Sequence, residues 1–388
     1  MKCPTGLKEP GVARALGFST VACLAIVAVS VLTASAIAAA SAPAPGKVIQ
    51  KGQYASSKGP WLVYNRSKCS FKTTKSHPKT YVANLRSQPG LRLAYTPEGT
   101  QFEFDKILNA ATKAAAVKAK MKFFQFTNEY PSKTLPIDAA NQAVTVKANV
   151  VISGNVFPDL YPRIQEIYKK ACIPWLNEFA LEGTKGIPKF QGDNYDTGRR
   201  LAVAAAAIIR QRGWPKEQIR IVSCSDLNVA RTRESIYGIV VGYRESLTKL
   251  LGLPSSAIQQ PDIVCKAELG PEGARQAMTD WLTAHPDAKY VTAAAWADDP
   301  YSIGLADGLR QRGFGERALV VGRGGSAQPK KLIAAGDPIM AATADPRFPG
   351  WGPLIVSMAQ DIALGKPVPL LASPPAVVVT KANIAQYP

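Results

Sequence analysis

Histidine is nearly missing from this chain of 388 residues; there are two, His77 and His285. With no Cys-x-x-Cys either, zinc would lack its usual ligands. Gly-x-Ser-x-Gly, Gly-x-x-x-x-Gly-Lys and His-Glu-x-x-His are also absent, and no cysteine has a histidine in sequence context. Those gaps argue against the common hydrolase, nucleotide-binding and metalloprotease chemistries. Acid is scarce as well, with 28 Asp and Glu against 47 Lys and Arg, a net charge of +19. Such a balance can serve nucleic acid, an acidic envelope or an anionic ligand. No helix-turn-helix, zinc finger or aromatic-basic pattern supports nucleic acid, and the basic residues are spread rather than blocked. They read as solubilising surface charge. At 46% hydrophobic and 19% charged, the composition is that of a globular protein long enough for two cores.

The amino terminus reads as an export signal over residues 1–42. Lys2, Lys8 and Arg14 precede the apolar run Phe18 to Val31, and small residues follow at Ala36-Ile37-Ala38 and Ala40-Ser41-Ala42. The apolar stretch to Ala40 exceeds the usual signal core, so an uncleaved membrane anchor is the alternative. There is no twin arginine, and Cys23 lacks the Leu-Ala-Gly lead-in of a lipid-anchored cysteine. The expected location is periplasmic, or cell-surface and extracellular. Removing the signal leaves Cys69, Cys172, Cys224 and Cys265, an even number that permits disulfides after export. Residues 43–90 are rich in Ser, Lys and Pro, with aromatics at Trp61, Tyr64, Phe71 and Tyr81. They predict a basic extension, a loose arm tethered through Cys69.

From Leu91 the pattern turns regular. Short apolar strands (Leu91–Tyr95, Lys122–Phe126, Val150–Ser153, Ile173–Asn177) alternate with amphipathic helices (Phe104–Lys120, Ile137–Ala148, Leu160–Ala171). That alternation predicts an α/β fold with a doubly wound parallel sheet. The same grammar restarts at Gly192. Asp193 opens a helix whose inward face is Leu201, Ala204, Ala205, Ile208 and Ile209, Gly213 ends it, and Ile219–Cys224 is a strand. A polar loop with Arg231 and Arg233 then feeds a helix containing Gly238, at the end of a parallel strand where open α/β sheets place ligands.

The run Asp193-Asn194-Tyr195-x-x-Gly198, then a strand, then Ala230-Arg231-x-Arg233, resembles the start of the second domain in periplasmic sugar-binding proteins of ABC importers, the ribose- and galactose-binding type. The resemblance covers residue 91 to the end. It implies a type I periplasmic binding protein: two Rossmann-like lobes joined by a three-segment hinge. Lobe 1 would be 91–191 plus about 346–372, and lobe 2 would be 192–345 plus about 373–388. Cys224 and Cys265 would end neighbouring strands and are the preferred disulfide.

The resemblance also implies a ligand set. Aligning on Gly238 makes Arg233 the sugar-holding arginine, with Arg231 the choice if the loop shifts by two. Phe104 would stack on a ring while Gln101 or Glu103 bonds hydroxyls; packing of Phe104 under its own helix is the alternative. Asn177 and Glu178 replace an Asp-Arg pair. Trp296-Ala297-Asp298-Asp299 matches Ala-Asn-Asp, making Asp298 a ligand residue and Asp299 a helix cap. Arg323 faces the cleft or solvates its rim, and Asp345 stands where a ligand Gln precedes a crossing. The implied protein is a monomeric solute receptor, without cofactor or metal, serving an ABC permease, or a sensor signalling to a membrane receptor. It is not an enzyme; the adjacent acids Asp298 and Asp299 would point apart rather than form a glycosidase pair.

Overall fold

The computed structural model describes residues 43–387 apart from 45, 76–77, 102, 130–131, 155–156, 180–183, 227–234 and 267–268. Residues 1–42, expected to be an export signal, and Arg231 and Arg233 therefore lie outside the described residues.

Two parallel sheets are built by the same rule. In the first, β4 (Arg92–Thr96), β5 (Lys122–Gln125), β6 (Val150–Gly154), β7 (Trp175–Glu178) and β8 (Lys189–Phe190) lie in the order β5-β4-β6-β7-β8, every neighbouring pair parallel. In the second, β9 (Ile219–Ser225), β10 (Ile263–Val264), β11 (Tyr290–Ala295), β12 (Ala318–Arg323) and β13 (Met340–Asp345) repeat it as β10-β9-β11-β12-β13. Both centres are apolar on both faces. Leu93, Val150, Val151 and Ile152 are fully buried in one sheet and Ile221, Val222, Val291 and Val320 in the other, as helices on both sides of a parallel sheet require.

In the first lobe, α1 (Glu103–Lys118) and α9 (Phe348–Ala363) pack together over one face, and α2 (Leu135–Thr145) and α3 (Tyr161–Lys170) cover the other. In the second, α4 (Asn194–Gln211) packs on α5 (Gly238–Leu251), and α6 (Gly270–Ala284) on α7 (Asp299–Gln311). The α4 face is rotated slightly from the expected one: Leu201, Ala202, Ala205, Ala206 and Ile209 are buried, while Ala204 and Ile208 are half-buried. The cause is a close crossing. A Cβ on Gly198 would stand 2.0 Å from the Ile239 carbonyl oxygen, and one on Gly242 would stand 2.1 Å from that of Tyr195. Backbone contact at these two glycines sets which stripe of α4 faces inward.

The chain crosses between lobes three times. It passes from β8 to α4, from β13 to α9, and from β14 (Val368–Ser373), parallel to β8, to β15 (Val377–Thr380), antiparallel to β13. The Cys224–Cys265 disulfide joins the adjacent strands β9 and β10 at a Cα separation of 5.6 Å.

Residues 43–90 correct the expectation of a loose arm. β1 (Val48–Asn65) pairs antiparallel with β14, and β2 (Ser70–Thr73) and β3 (Thr80–Arg86) pair with β1, extending the first sheet to nine strands. Tyr81, Ala83 and Leu85 alternate inward to join the core under α9. Arg86 forms a buried 2.7 Å ion pair with Asp361 of α9, which also accepts the Tyr81 hydroxyl at 2.8 Å. A second disulfide, Cys69–Cys172, ties the β1–β2 turn to the end of α3.

Candidate ligand-binding site

Doubly wound sheets leave a crevice beyond the carboxyl ends of their strands, where the order reverses. Here those reversals fall at β4 and β9.

In lobe 1 the loop after β4 carries Glu98. Gly154, ending β6, allows that loop to close in, since a Cβ there would lie 2.5 Å from the Glu98 nitrogen. The amide Nδ2 of Asn128, beyond β5, staples the loop by donating to the carbonyls of Pro97 (2.7 Å) and Gly154 (2.9 Å). Glu178 ends β7, fully buried, 3.0 Å from the Tyr95 hydroxyl, which is also 2.7 Å from Asn109 Oδ1. One phenol proton cannot serve two acceptors. Burial pushes the Glu178 carboxyl up to about 8, opposed by the Tyr95 hydrogen bond and helped by nearby Asp105. The other Glu178 oxygen, Oε1, and the Glu98 Oε2 are buried with no hydrogen-bond partner among the described residues.

In lobe 2, Asp298 follows β11 and Arg323 ends β12, and they form a 2.8 Å ion pair. Burial raises the Asp298 carboxyl despite the guanidinium beside it. Trp296 is buried against Tyr301, ring centres 5.8 Å apart, and its Nε1 has no partner among the described residues.

The two sets feel one another. Burial pushes the Glu98 carboxyl well above the ordinary range, and Asp105 and Glu178 of its own lobe and Asp298 of the other lobe push it further, while Arg323 pulls it down. The carboxyl ends of the two sheets thus share one electrostatic neighbourhood.

Of the residues expected from the sequence, Glu178, Asp298 and Arg323 all act on the Glu98 carboxyl, and Trp296 lies just after β11, two residues before Asp298. Asn177 is fully buried, but strand alternation sends it to the opposite face of β7 from Glu178. Phe104 has one face stacked on Phe348 (centres 5.5 Å, planes 30° apart) and meets Phe179 edge-on. It packs beneath its helix within an aromatic cluster. Gln101 and Glu103 are exposed; Glu103 lines an open hollow of about 440 Å³ with Gly325, Lys330 and Lys331. Asp345 borders that rim, paired with Lys330 at 3.1 Å and accepting the Arg347 N–H at 2.7 Å.

Asp299 departs from its expected role as cap of α7. Its carboxylate accepts from the Thr343 hydroxyl (2.6 Å) and from the N–H of Ser326 (2.8 Å), the residue at the start of α8 (Ala327–Ala335). It clamps β13 and the loop after β12 to α7, while Asp298 takes the cap position without a capping hydrogen bond. Glu98 and Asp105 were missed in the sequence reading. The available signal was position: Glu98 is the first acid after a parallel strand, and Asp105 lies in the first turn of the next helix.

A family model, the periplasmic binding protein domain, matches residues 93–367. The chain belongs to that family. Members bind solutes outside the cytoplasm without transforming them, so this periplasmic binding protein is not an enzyme. Its fold is shared with an ABC transporter solute-binding protein from Mycobacterium smegmatis with bound glycerol (22% identity, TM-score 0.62, 76% of this chain and 96% of that one). It is shared also with a periplasmic ribose ABC transporter protein from Conexibacter woesei (20%, 0.64, 77% and 95%). A third is an Actinobacillus succinogenes solute-binding protein with bound D-allose (16%, 0.62, 76% and 100%). No curated protein matches the sequence at a significant level. Among the described residues no helix is long and apolar enough to cross a membrane.

Proposed function

We propose that this periplasmic binding protein captures a sugar or sugar-like polar solute between its lobes and delivers it to an ABC importer. The observation that carries the reading is the meeting of buried, under-partnered carboxyls Glu98 and Glu178 with the Asp298–Arg323 pair of the other lobe. Carboxyl oxygens take hydroxyl hydrogens, a guanidinium donates in a fork, and an indole N–H supplies one further donor. That inventory suits a small polyhydroxylated molecule. The solved relative holding D-allose supports the solute class, and family membership supports a permease partner. Arg233, which follows β9 in the sequence, is proposed as a further donor. The proposed lobes are 91–191 with about 346–372 and 192–345 with about 373–388. They would close about the three crossings, driven by contacts that differ between open and closed forms.

The test is thermal unfolding of residues 43–388 against a panel of sugars, sugar acids and polyols. At 100 times its dissociation constant a true ligand stabilises by about 2.7 kcal/mol, and that shift should vanish in Glu98→Gln, Asp298→Asn and Arg233→Ala. No shift from any panel member would overturn the sugar reading.

A further inference from the structure

We propose that the sub-sheet β1–β3 is a docking face for an anionic lipid bilayer, holding the receptor at the membrane surface through unpaired lysines and exposed apolar side chains. Residues 43–90 contain nine Lys and Arg and no Asp or Glu, close to half of the net charge of +19. Lys47, Lys51, Lys68, Lys72, Lys75 and Lys79 are exposed, and none has an ion-pair partner among the described residues. Elsewhere on the surface many cations are answered: Arg199 and Arg200 by Asp196, Arg275 by Glu272, Arg310 by Asp307 and Asp337. Within the sub-sheet Lys58 is paired with Asp193 and Arg86 with Asp361, while these six lysines stay open.

It also leaves apolar groups open. Tyr54 is 57% exposed and Val82 38%, and the two are paired across β1 and β3 on the side away from α9, while Val48 and Ile49 are 44% and 36% exposed. Lys51, paired with Asn84 two residues along β3 from Val82, stands on the same side as the Tyr54–Val82 pair, and such a mixture matches the headgroup region of a bilayer: ammonium groups meet lipid phosphates and the apolar parts reach the acyl boundary. A soluble polyanion would use the lysines and leave the apolar group without a role. The segment also falls outside the family match, 93–367, so this surface is an addition to the binding domain.

Flotation of residues 43–388 with vesicles reads the proposal directly, since this span contains both sheets and the sub-sheet. The chain should bind vesicles of phosphatidylglycerol, leave pure phosphatidylcholine vesicles alone, and dissociate in 0.5 M NaCl, a concentration far above physiological (about 0.15 M) at which exposed charges are strongly screened. Replacing the six exposed lysines by glutamine should weaken binding by at least about a hundredfold, with the unfolding temperature unchanged. Tyr54→Ser with Val82→Ser should weaken it by about tenfold at constant charge. Absence of binding to phosphatidylglycerol, equal binding by the six-lysine variant, or binding to soluble polyglycerol phosphate but not to vesicles would each overturn it.

Discussion

Two buried arginine–aspartate pairs, one in each lobe, look alike in the contact geometry and differ in what surrounds them. Arg86–Asp361 in lobe 1 and Arg323–Asp298 in lobe 2 have N–O distances of 2.7 and 2.8 Å. In both, burial raises the carboxyl against the pull of its cation. Asp361 receives a second donor from Tyr81, and the Arg86 backbone N–H and carbonyl are both bonded by Gln360. That pair is held from both strand and helix. Among the described residues Asp298 accepts from Arg323, and its charge reaches Glu98 of the other lobe. The first network is closed within its lobe; the second lies beside Glu98 and Glu178, whose oxygens Oε2 and Oε1 have no partner among the described residues. The lesson is that burial alone does not mark a site, whereas burial with unfilled hydrogen-bonding capacity does.

The most direct way to break the comparison is to remove each cation. Arg86→Ala strands Asp361 in the core and should cost about 3–5 kcal/mol, seen in denaturant unfolding, while the ligand-induced thermal shift persists. Arg323→Ala should cost less, because Asp298 can take up a proton beside the crevice, yet abolish the ligand shift. Equal effects of both variants on binding would erase the distinction.

The disulfides sharpen it next. Cys69–Cys172 spans 103 residues and Cys224–Cys265 spans 41. Paired serine replacements should each cost about 2–4 kcal/mol, the longer loop slightly more on chain-entropy grounds. The first should also free β1–β2 to proteolysis, and the second should leave that segment protected.

Glu178→Gln acts through pH. The folded Glu178 carboxyl sits at about 8 against an ordinary 4.5, so the native state binds its proton more tightly than the unfolded chain. Its contribution is fully present below about 4.5 and is lost as pH rises to about 8. Unfolding free energy measured from pH 5 to 8 should fall less steeply in the glutamine variant; an unchanged slope would remove Glu178 as the source. The smallest effect is expected from Trp296→Phe, which keeps the ring and deletes one N–H. It should weaken ligand binding by about 0.5–1.5 kcal/mol, read by titration calorimetry, with little change in stability.

The architecture was legible because each parallel strand is a short apolar run beside an amphipathic helix, a local pattern. Asp298, Arg323 and Glu178 were legible because they end such strands. Glu98 was passed over for Gln101 and Glu103, two loop positions that the fold turns outward. The sub-sheet was unreadable for a different reason. Val48–Asn65 mixes Ser, Lys and Gly without clean alternation, and its partner β14 lies some three hundred residues further along the chain. Pairing at that distance leaves no mark on the local sequence. The clamp role of Asp299 likewise depends on Ser326 and Thr343, which only the folded second lobe brings near.

That distant pairing sets an order of events during synthesis. The five parallel strands of lobe 2 are contiguous in the chain and can assemble once Asp345 has emerged. The first strand to appear, β1, must wait for almost the last, β14, before its long edge is covered. In the interval β1 has only β2 and β3 as companions, and its open edge is a hazard for pairing with another chain. Cys172 arrives far earlier than β14. Once oxidised with Cys69, it moors the waiting segment to lobe 1, so an oxidising compartment guards a contact that the chain can make only late.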